Sequence, residues 1–252
     1  MAALLLLGVA TTILCVEPRA GAETLAPRRG FAAIFQDAVI GPFAEFIRRS
    51  GLGAALLVLA FILLYKFGDA FAGVMANPFY IQIGFTKAEI ASVSKVFGLA
   101  ATLVGVFLGG LVVGRFGVMP ALLICGVLQM ASNLMFALQA AVGADLTLLF
   151  ATIGIENLSG GMGSAAFVAY LSMLCNVAYT ATQYALFSSF MAFGRTLLSS
   201  SSGWVADNVD WVTFFVISTL VALPGLLMLL WILKRFPTAG RPVPATAAMA
   251  AD

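Results

Sequence analysis

Five charged side chains stand inside long apolar runs of this sequence: Lys66, Asp69, Lys95, Glu156 and Arg195. Charge in an apolar run is costly, and inside a membrane it marks a ligand path, an ion relay or a structural ion pair. Lys66 and Asp69 are three residues apart and share a helix face. Gly73 and Asn77 continue that stripe at four-residue steps. The pair is read either as one that neutralises itself locally or as part of a substrate or ion path. Glu156 opens the run ENLSGGMG, whose glycines permit close helix contact or local unwinding. The run is no Walker A loop, because no Gly-Lys-Ser/Thr follows. Glu156 is either a working carboxylate or a neutral carboxyl bonded to a neighbouring helix. Arg195 follows Gly194 and precedes Ser199 to Ser202, and an acid partner is expected for it, with Glu156 and Asp69 available. Its two readings are a structural ion pair and anion recognition. Lys95 lies near the start of its run, where it snorkels to the surface or faces a cavity.

Neutral polar groups accompany these charges. Gln129, Asn133, Asn157, Asn176 and Gln183 lie in or near apolar runs. They suit hydrogen bonds to a sugar or peptide and equally suit bonds between helices. Gly105-x-x-x-Gly109 and Gly110-x-x-x-Gly114 are small-residue packing motifs, in a chain rich enough in glycine for chance matches.

The elements that position these residues follow from composition. The chain has 252 residues, 62% hydrophobic and only 10% charged, with a mean hydropathy of +1.06. Soluble domains carry about 25% charged residues, so the reading is a polytopic all-α membrane protein with the lipid bilayer as its partner. Histidine is absent, which excludes Ser-His-Asp and Cys-His chemistry and imidazole metal ligands. Cys15, Cys125 and Cys175 form no CxxC, so neither a metal site nor a cofactor is expected. A net charge of +2 gives no reason to expect a nucleic-acid partner.

A span needs roughly 20 apolar residues. Six such runs are read at 52–83, 90–113, 118–140, 146–174, 180–206 and 211–233, making a bundle over 51–235. Residues 1–16 form a shorter apolar stretch, read as a signal peptide or as the remnant of a transmembrane helix. Residues 17–50 read as a linker whose part from Phe31 to Arg49 is an amphipathic helix kinked at Gly41-Pro42. Residues 236–252 read as a disordered tail. Arg19, Arg28, Arg29, Arg48, Arg49, Arg115, Lys234, Arg235 and Arg241 all fall on one side of the alternation, which makes that side, and the C-terminus, cytoplasmic.

From about residue 35 to 235 the chain resembles the C-terminal half of AmpG-type muropeptide permeases, a branch of the major facilitator superfamily. The resembling stretches are YKFGDAFAG (65–73), SKVFGLAATLVG (94–105), ALLICGVLQMASN (121–133), ENLSGGMGSAAFVAYLSMLCN (156–176), ATQYALFSS (181–189) and GRTLLSSSSGW (194–204). The resemblance implies a twelve-helix fold in two halves, of which this chain has the six-helix C-terminal bundle. It makes residues 1–16 the end of a sixth helix and 17–50 the cytoplasmic linker. It implies a protein of the bacterial inner membrane that imports anhydro-muropeptides, which are sugar-peptide fragments, by proton symport. It assigns Asp69 and Glu156 to proton coupling or cavity polarity, and Lys66 and Arg195 to an anionic substrate. Asn77, Asn157 and Gln129 are the neutral cavity candidates. Transport then requires an N-terminal half or a second chain, the present chain being a truncated product or one begun at a wrong start codon. The rival readings are another solute carrier of the superfamily, such as an acetyl-CoA carrier, and a non-transporting membrane assembly module. No nucleophile–base pair supports an enzyme.

Overall fold

The computed structural model describes residues 40–176 and 179–235, which are helical with no strand among them. The apolar stretch 1–16, the linker up to residue 39 and the tail 236–252 lie outside the described residues. The elements are α1 (Gly41–Ser50), α2 (Leu52–Tyr65), α3 (Phe67–Gln82), α4 (Lys87–Ser92), a π-helical segment (Val93–Gly98), α5 (Leu99–Phe116), α6 (Val118–Val142), α7 (Leu146–Leu174), α8 (Thr180–Ser199), α9 (Ser201–Asn208) and α10 (Trp211–Arg235). Several join end to end, so these elements form six long helical units after α1. Four of the units, Leu52–Gln82, Lys87–Phe116, Val118–Val142 and Trp211–Lys234, are long and apolar enough to cross a membrane. In the other two, α7 carries Glu156 and its glycines, and α8–α9 carries Arg195 and the serine run.

Local signals set the boundaries. Thr86 and Glu89 form a capping box that starts α4. Asp145 caps α7 by accepting from the Leu148 amide at 2.8 Å. Gly117 separates α5 from α6 at φ +84°, a conformation that a side chain opposes. Three expected spans are interrupted. The first breaks for one residue at Lys66 (φ −96°, ψ 3°), between α2 and α3. The second contains the π-helical segment, which includes Lys95. The fifth breaks at Ser200. Ser199, Ser200, Ser201 and Ser202 each donate to the carbonyl three residues back, so their hydroxyls serve the helix itself.

The Gly41-Pro42 pair stands at the start of α1, with Pro42 in its first turn. The apolar face of this helix is partly covered by protein. Phe46 is buried against Phe187 at a ring distance of 5.0 Å.

Packing divides the bundle into two apolar layers. One surrounds Phe61, Tyr65, Leu122, Phe167, Tyr170 and Phe187. The other surrounds Phe79, Phe136, Leu149, Phe214 and Phe215. Stacked rings anchor each, Tyr65 on Phe167 at 5.2 Å and Phe136 on Phe215 at 4.8 Å. Between the two layers the helices carry Lys66, Asp69, Gln129, Ser132, Asn133, Glu156, Ser159 and Ser218. Polar side chains thus form a middle band, which the helix break at Lys66 enters.

The tightest helix contact is α5 on α7. A Cβ added at Gly105 lies 2.2 Å from the Leu158 carbonyl oxygen, and one at Gly161 lies 2.5 Å from the Thr102 carbonyl oxygen. These glycines let the two backbones touch. Gly110 and Gly114 face open space. Of the two motifs, Gly105-x-x-x-Gly109 is therefore the α5–α7 seam, whereas a Cβ at Gly110 or Gly114 would touch no other described residue.

Candidate substrate and ion-coupling site

The middle band is organised by Lys66. Its Nζ lies 3.5 Å from the Asp69 carboxylate. It also donates to Gln129 Oε1 at 3.3 Å and to Ser164 Oγ at 3.5 Å. One ammonium group therefore ties α3, α6 and α7 together. Room for the Gln129 amide comes from Gly163, where a Cβ would approach Oε1 to 2.5 Å. The ENLSGGMG glycines thus serve both a helix seam and a polar side chain. A cavity of ≈ 10 Å³ beside the pair is lined by Tyr65, Asp69, Gln129 and Asn133, among others. Asn133 Nδ2 is buried there without a hydrogen-bond partner. Ligand sites measure roughly 300–1,000 Å³, so no sugar-peptide fits inside the bundle at this point.

Glu156 is half-buried on α7, within electrostatic range of Asp69, Lys66 and Tyr80. Among the described residues the ion pairs are Arg49–Glu45 and Lys66–Asp69, and neither includes Glu156. The band therefore holds one carboxylate fixed by a lysine and one with no cation bound to it.

The other expected site residues separate from this cluster. Asn157 accepts from Thr102 Oγ1 at 2.9 Å and donates to the Ile153 carbonyl at 2.8 Å, which makes it a link between α7 and α5. Arg195 is exposed on α8, outside both ion pairs. The acid partner expected for it is not found among the described residues. The reason lies one residue back, where Gly194 is pressed against Leu63. That contact turns the neighbouring position away from α2, while Asp69 is already held by Lys66. Asn77 is exposed on α3, beyond Asp69 and Gly73 on the same stripe, and Lys95 is exposed on the π-helical segment.

A second polar cluster joins α1 to the α7–α8 junction. Glu45 accepts from Asn176 Nδ2 at 2.8 Å and from Gln183 Nε2 at 2.6 Å. Gln183 also donates to the Pro42 carbonyl at 3.1 Å and accepts from the Asn176 amide at 2.7 Å. Arg49 donates to the Leu174 carbonyl at 2.7 Å. The Asn176 hydrogen bond, aided by Gln183, Arg49 and Arg48, holds the Glu45 carboxyl below its ordinary range against the effect of burial. Sequence reasoning noted Asn176 and Gln183 but missed Glu45. Its signal was a carboxylate in a linker helix, followed by the paired LCN and ATQ stretches.

No protein-family model matches the chain. Relatives do. The chain is 40% identical over 231 residues to the anhydromuropeptide permease of Escherichia coli (strain K12), covering 91% of this chain and 45% of the relative. It is 38% identical over 198 residues to "Putative transporter AmpG 4" of Rickettsia felis, 79% of this chain and 47% of the relative. It is 37% identical over 175 residues to "Putative transporter AmpG 1" of Rickettsia bellii, 69% and 43%. These relatives are named as a permease and transporters, not as enzymes. The chain spans about half the length of the curated relatives it matches. Over that half-length the chain, with four helices long and apolar enough to cross a membrane, is similar to proteins named anhydromuropeptide permease or putative AmpG transporter.

Proposed function

We propose that this chain supplies one six-helix half of a bacterial inner-membrane importer of anhydromuropeptides. The observation that carries the reading is the polar middle band, with Lys66 fixed to Asp69 and Gln129 while Glu156, beside them, is in no ion pair among the described residues. A secondary transporter places substrate and coupling ion near the membrane midplane, between two bundles that rock against each other. The cavity inside this bundle is too small for a sugar-peptide, so substrate meets the band on the face that a second bundle covers. The relatives' names supply the substrate class.

Proton coupling falls to Glu156. Lys66 and Asp69 lie three residues apart at one helix break and stay together through rigid-body motion. Glu156 is free to gain a cation in one state and lose it in the other, and so to bind and release a proton alternately. Lys66 and Asp69 then hold the polarity of the band and meet anionic groups of the substrate. The basic ends of the helices face the cytoplasm, with α1 lying at that end. The test is Glu156→Gln in a protein with both halves. Gradient-driven accumulation should be lost while exchange of labelled substrate across the membrane persists. Normal accumulation by Glu156→Gln, with uncoupling in Asp69→Asn instead, reverses the assignment.

A further inference from the structure

At the end of the bundle away from α1, a cavity of ≈ 300 Å³ opens between α3 and the helix that begins with α4. Its polar lining is Asn77, Lys87, Ser94 and Lys95, set in apolar wall that includes Ile81 and Ile90. Two of the chain's four lysines therefore face one space. No acid lines it. The nearest acid in sequence, Glu89, is committed to the cap of α4, where its Oε2 accepts from the Thr86 amide at 2.9 Å and from Thr86 Oγ1 at 2.7 Å. Among the described residues neither Lys87 nor Lys95 belongs to an ion pair. Two cations beside apolar wall, with an amide and a hydroxyl to complete the hydrogen bonds, form a receptor for an oxyanion. Lys95 reaches the cavity from the π-helical segment, a local irregularity that is frequent at functional sites.

The position matters as much as the charge. Asn77 ends the stripe that begins with Lys66, Asp69 and Gly73. Eight residues at 1.5 Å each put Asn77 about 12 Å along α3 from Asp69. A Cβ at Gly73 would meet nothing within 4 Å, so the stripe is open at that position between the two.

We propose that Lys87, Lys95, Asn77 and Ser94 form an outer anion site that takes a carboxylate of the incoming peptide-bearing ligand before it reaches the middle band. The identity of that ligand rests on the import reading, whereas the anion chemistry rests on the cavity itself. A lipid phosphate offers the same chemistry to the same residues. The four lysines make the test direct. The full chain, in nanodiscs of zwitterionic lipid, is acylated briefly with an N-hydroxysuccinimide ester, and modification of each lysine is read by mass spectrometry. Three probes are compared: inorganic phosphate, anhydromuropeptide, and nanodiscs containing phosphatidylglycerol. Simple occupancy slows acylation of Lys87 and Lys95 about five-fold at roughly four times the apparent Kd, with Lys234 unchanged. Protection by anhydromuropeptide supports the proposal together with its ligand. Protection by phosphate but not by anhydromuropeptide supports the anion site and counts against the import reading. Protection by phosphatidylglycerol alone supports the anion site and names lipid as its occupant, which overturns the ligand part. No protection by any probe, or equal slowing at Lys234, overturns the site. Lys87→Gln should also reduce the protection of Lys95, and full protection of Lys95 in that variant contradicts a shared pocket.

Discussion

Replacing Gly105 by alanine should destabilise the bundle, whereas the same change at Gly110 should not. At Gly105 the new methyl carbon lies 2.2 Å from the Leu158 carbonyl oxygen and within 3.1 Å of two further Leu158 backbone atoms. The obstacle is backbone, which cannot rotate away, so α5 and α7 must separate. A gap of roughly 1 Å forfeits a quarter to a half of each contact along the seam. Overpacking costs about 1–3 kcal/mol, and a backbone obstacle places this site near 3. Alanine returns about 1 kcal/mol of helix propensity over glycine. The net loss is about 2 kcal/mol, or roughly 30-fold in the folding equilibrium. At Gly110 a Cβ meets nothing within 4 Å, so only the propensity gain remains. Unfolding from dodecyl maltoside into dodecyl sulfate, followed by tryptophan fluorescence, measures both. Trp211 is a suitable reporter because it packs on Phe79 at 5.2 Å. Equal midpoints for Gly105→Ala and the parent chain, or a larger loss for Gly110→Ala, would refute the seam.

Two other parts of the structure give outcomes that are simple to measure. Gln183→Ala removes hydrogen bonds to Glu45 and Pro42 and from the Asn176 amide. A bond to a charged group contributes about 1.5–3 kcal/mol, so α1 should undock and its amides over 41–50 should exchange faster by at least ten-fold. The depressed Glu45 carboxyl adds a pH dependence to the same contact. A carboxyl whose folded pKa is lowered contributes stability above its unfolded value, near 4.5, and that contribution disappears as pH falls through the folded pKa. Docking of α1 should therefore loosen on acidification below the ordinary carboxylate range, and Glu45→Gln should remove that dependence. Orientation is tested on a cysteine-free background by Phe116→Cys and Ala144→Cys, both exposed positions at helix junctions. An impermeant thiol reagent added outside should label position 144 and spare position 116, and the reverse pattern inverts the topology.

How far the sequence could be read depended on whether a feature was local. The run 146–174 coincides with α7, because Asp145 supplies a cap at one end and the polar Asn176 follows the other. The Lys66–Asp69 pair was equally legible, since three-residue spacing on one helix brings the groups together. What extends across helices was not. Gln129 reaches Lys66 over 63 positions of sequence and Asn176 reaches Glu45 over 131. Both were visible only as polar residues of open role. The two glycine motifs look alike in sequence, yet only the one turned toward α7 packs. Arg195 invited an acid partner because charge inside an apolar run demands one. The sequence does not reveal that Gly194 occupies the inward face and leaves Arg195 outside. The helix breaks at Lys66 and Ser200 interrupt apolar runs that carry neither glycine nor proline at those two positions.

The central claim is that this bundle works as one half of an anhydromuropeptide importer. Joining residues 40–252 to the N-terminal half of the Escherichia coli relative, in a strain lacking its own permease, tests it most directly. The measurement is uptake of labelled anhydromuropeptide by intact cells, with the chimera's presence in the membrane verified by immunoblot. Accumulation that is restored, and lost again on Glu156→Gln, is the predicted result. A chimera that inserts at normal levels yet imports nothing, or that imports equally well with Glu156→Gln, contradicts the account.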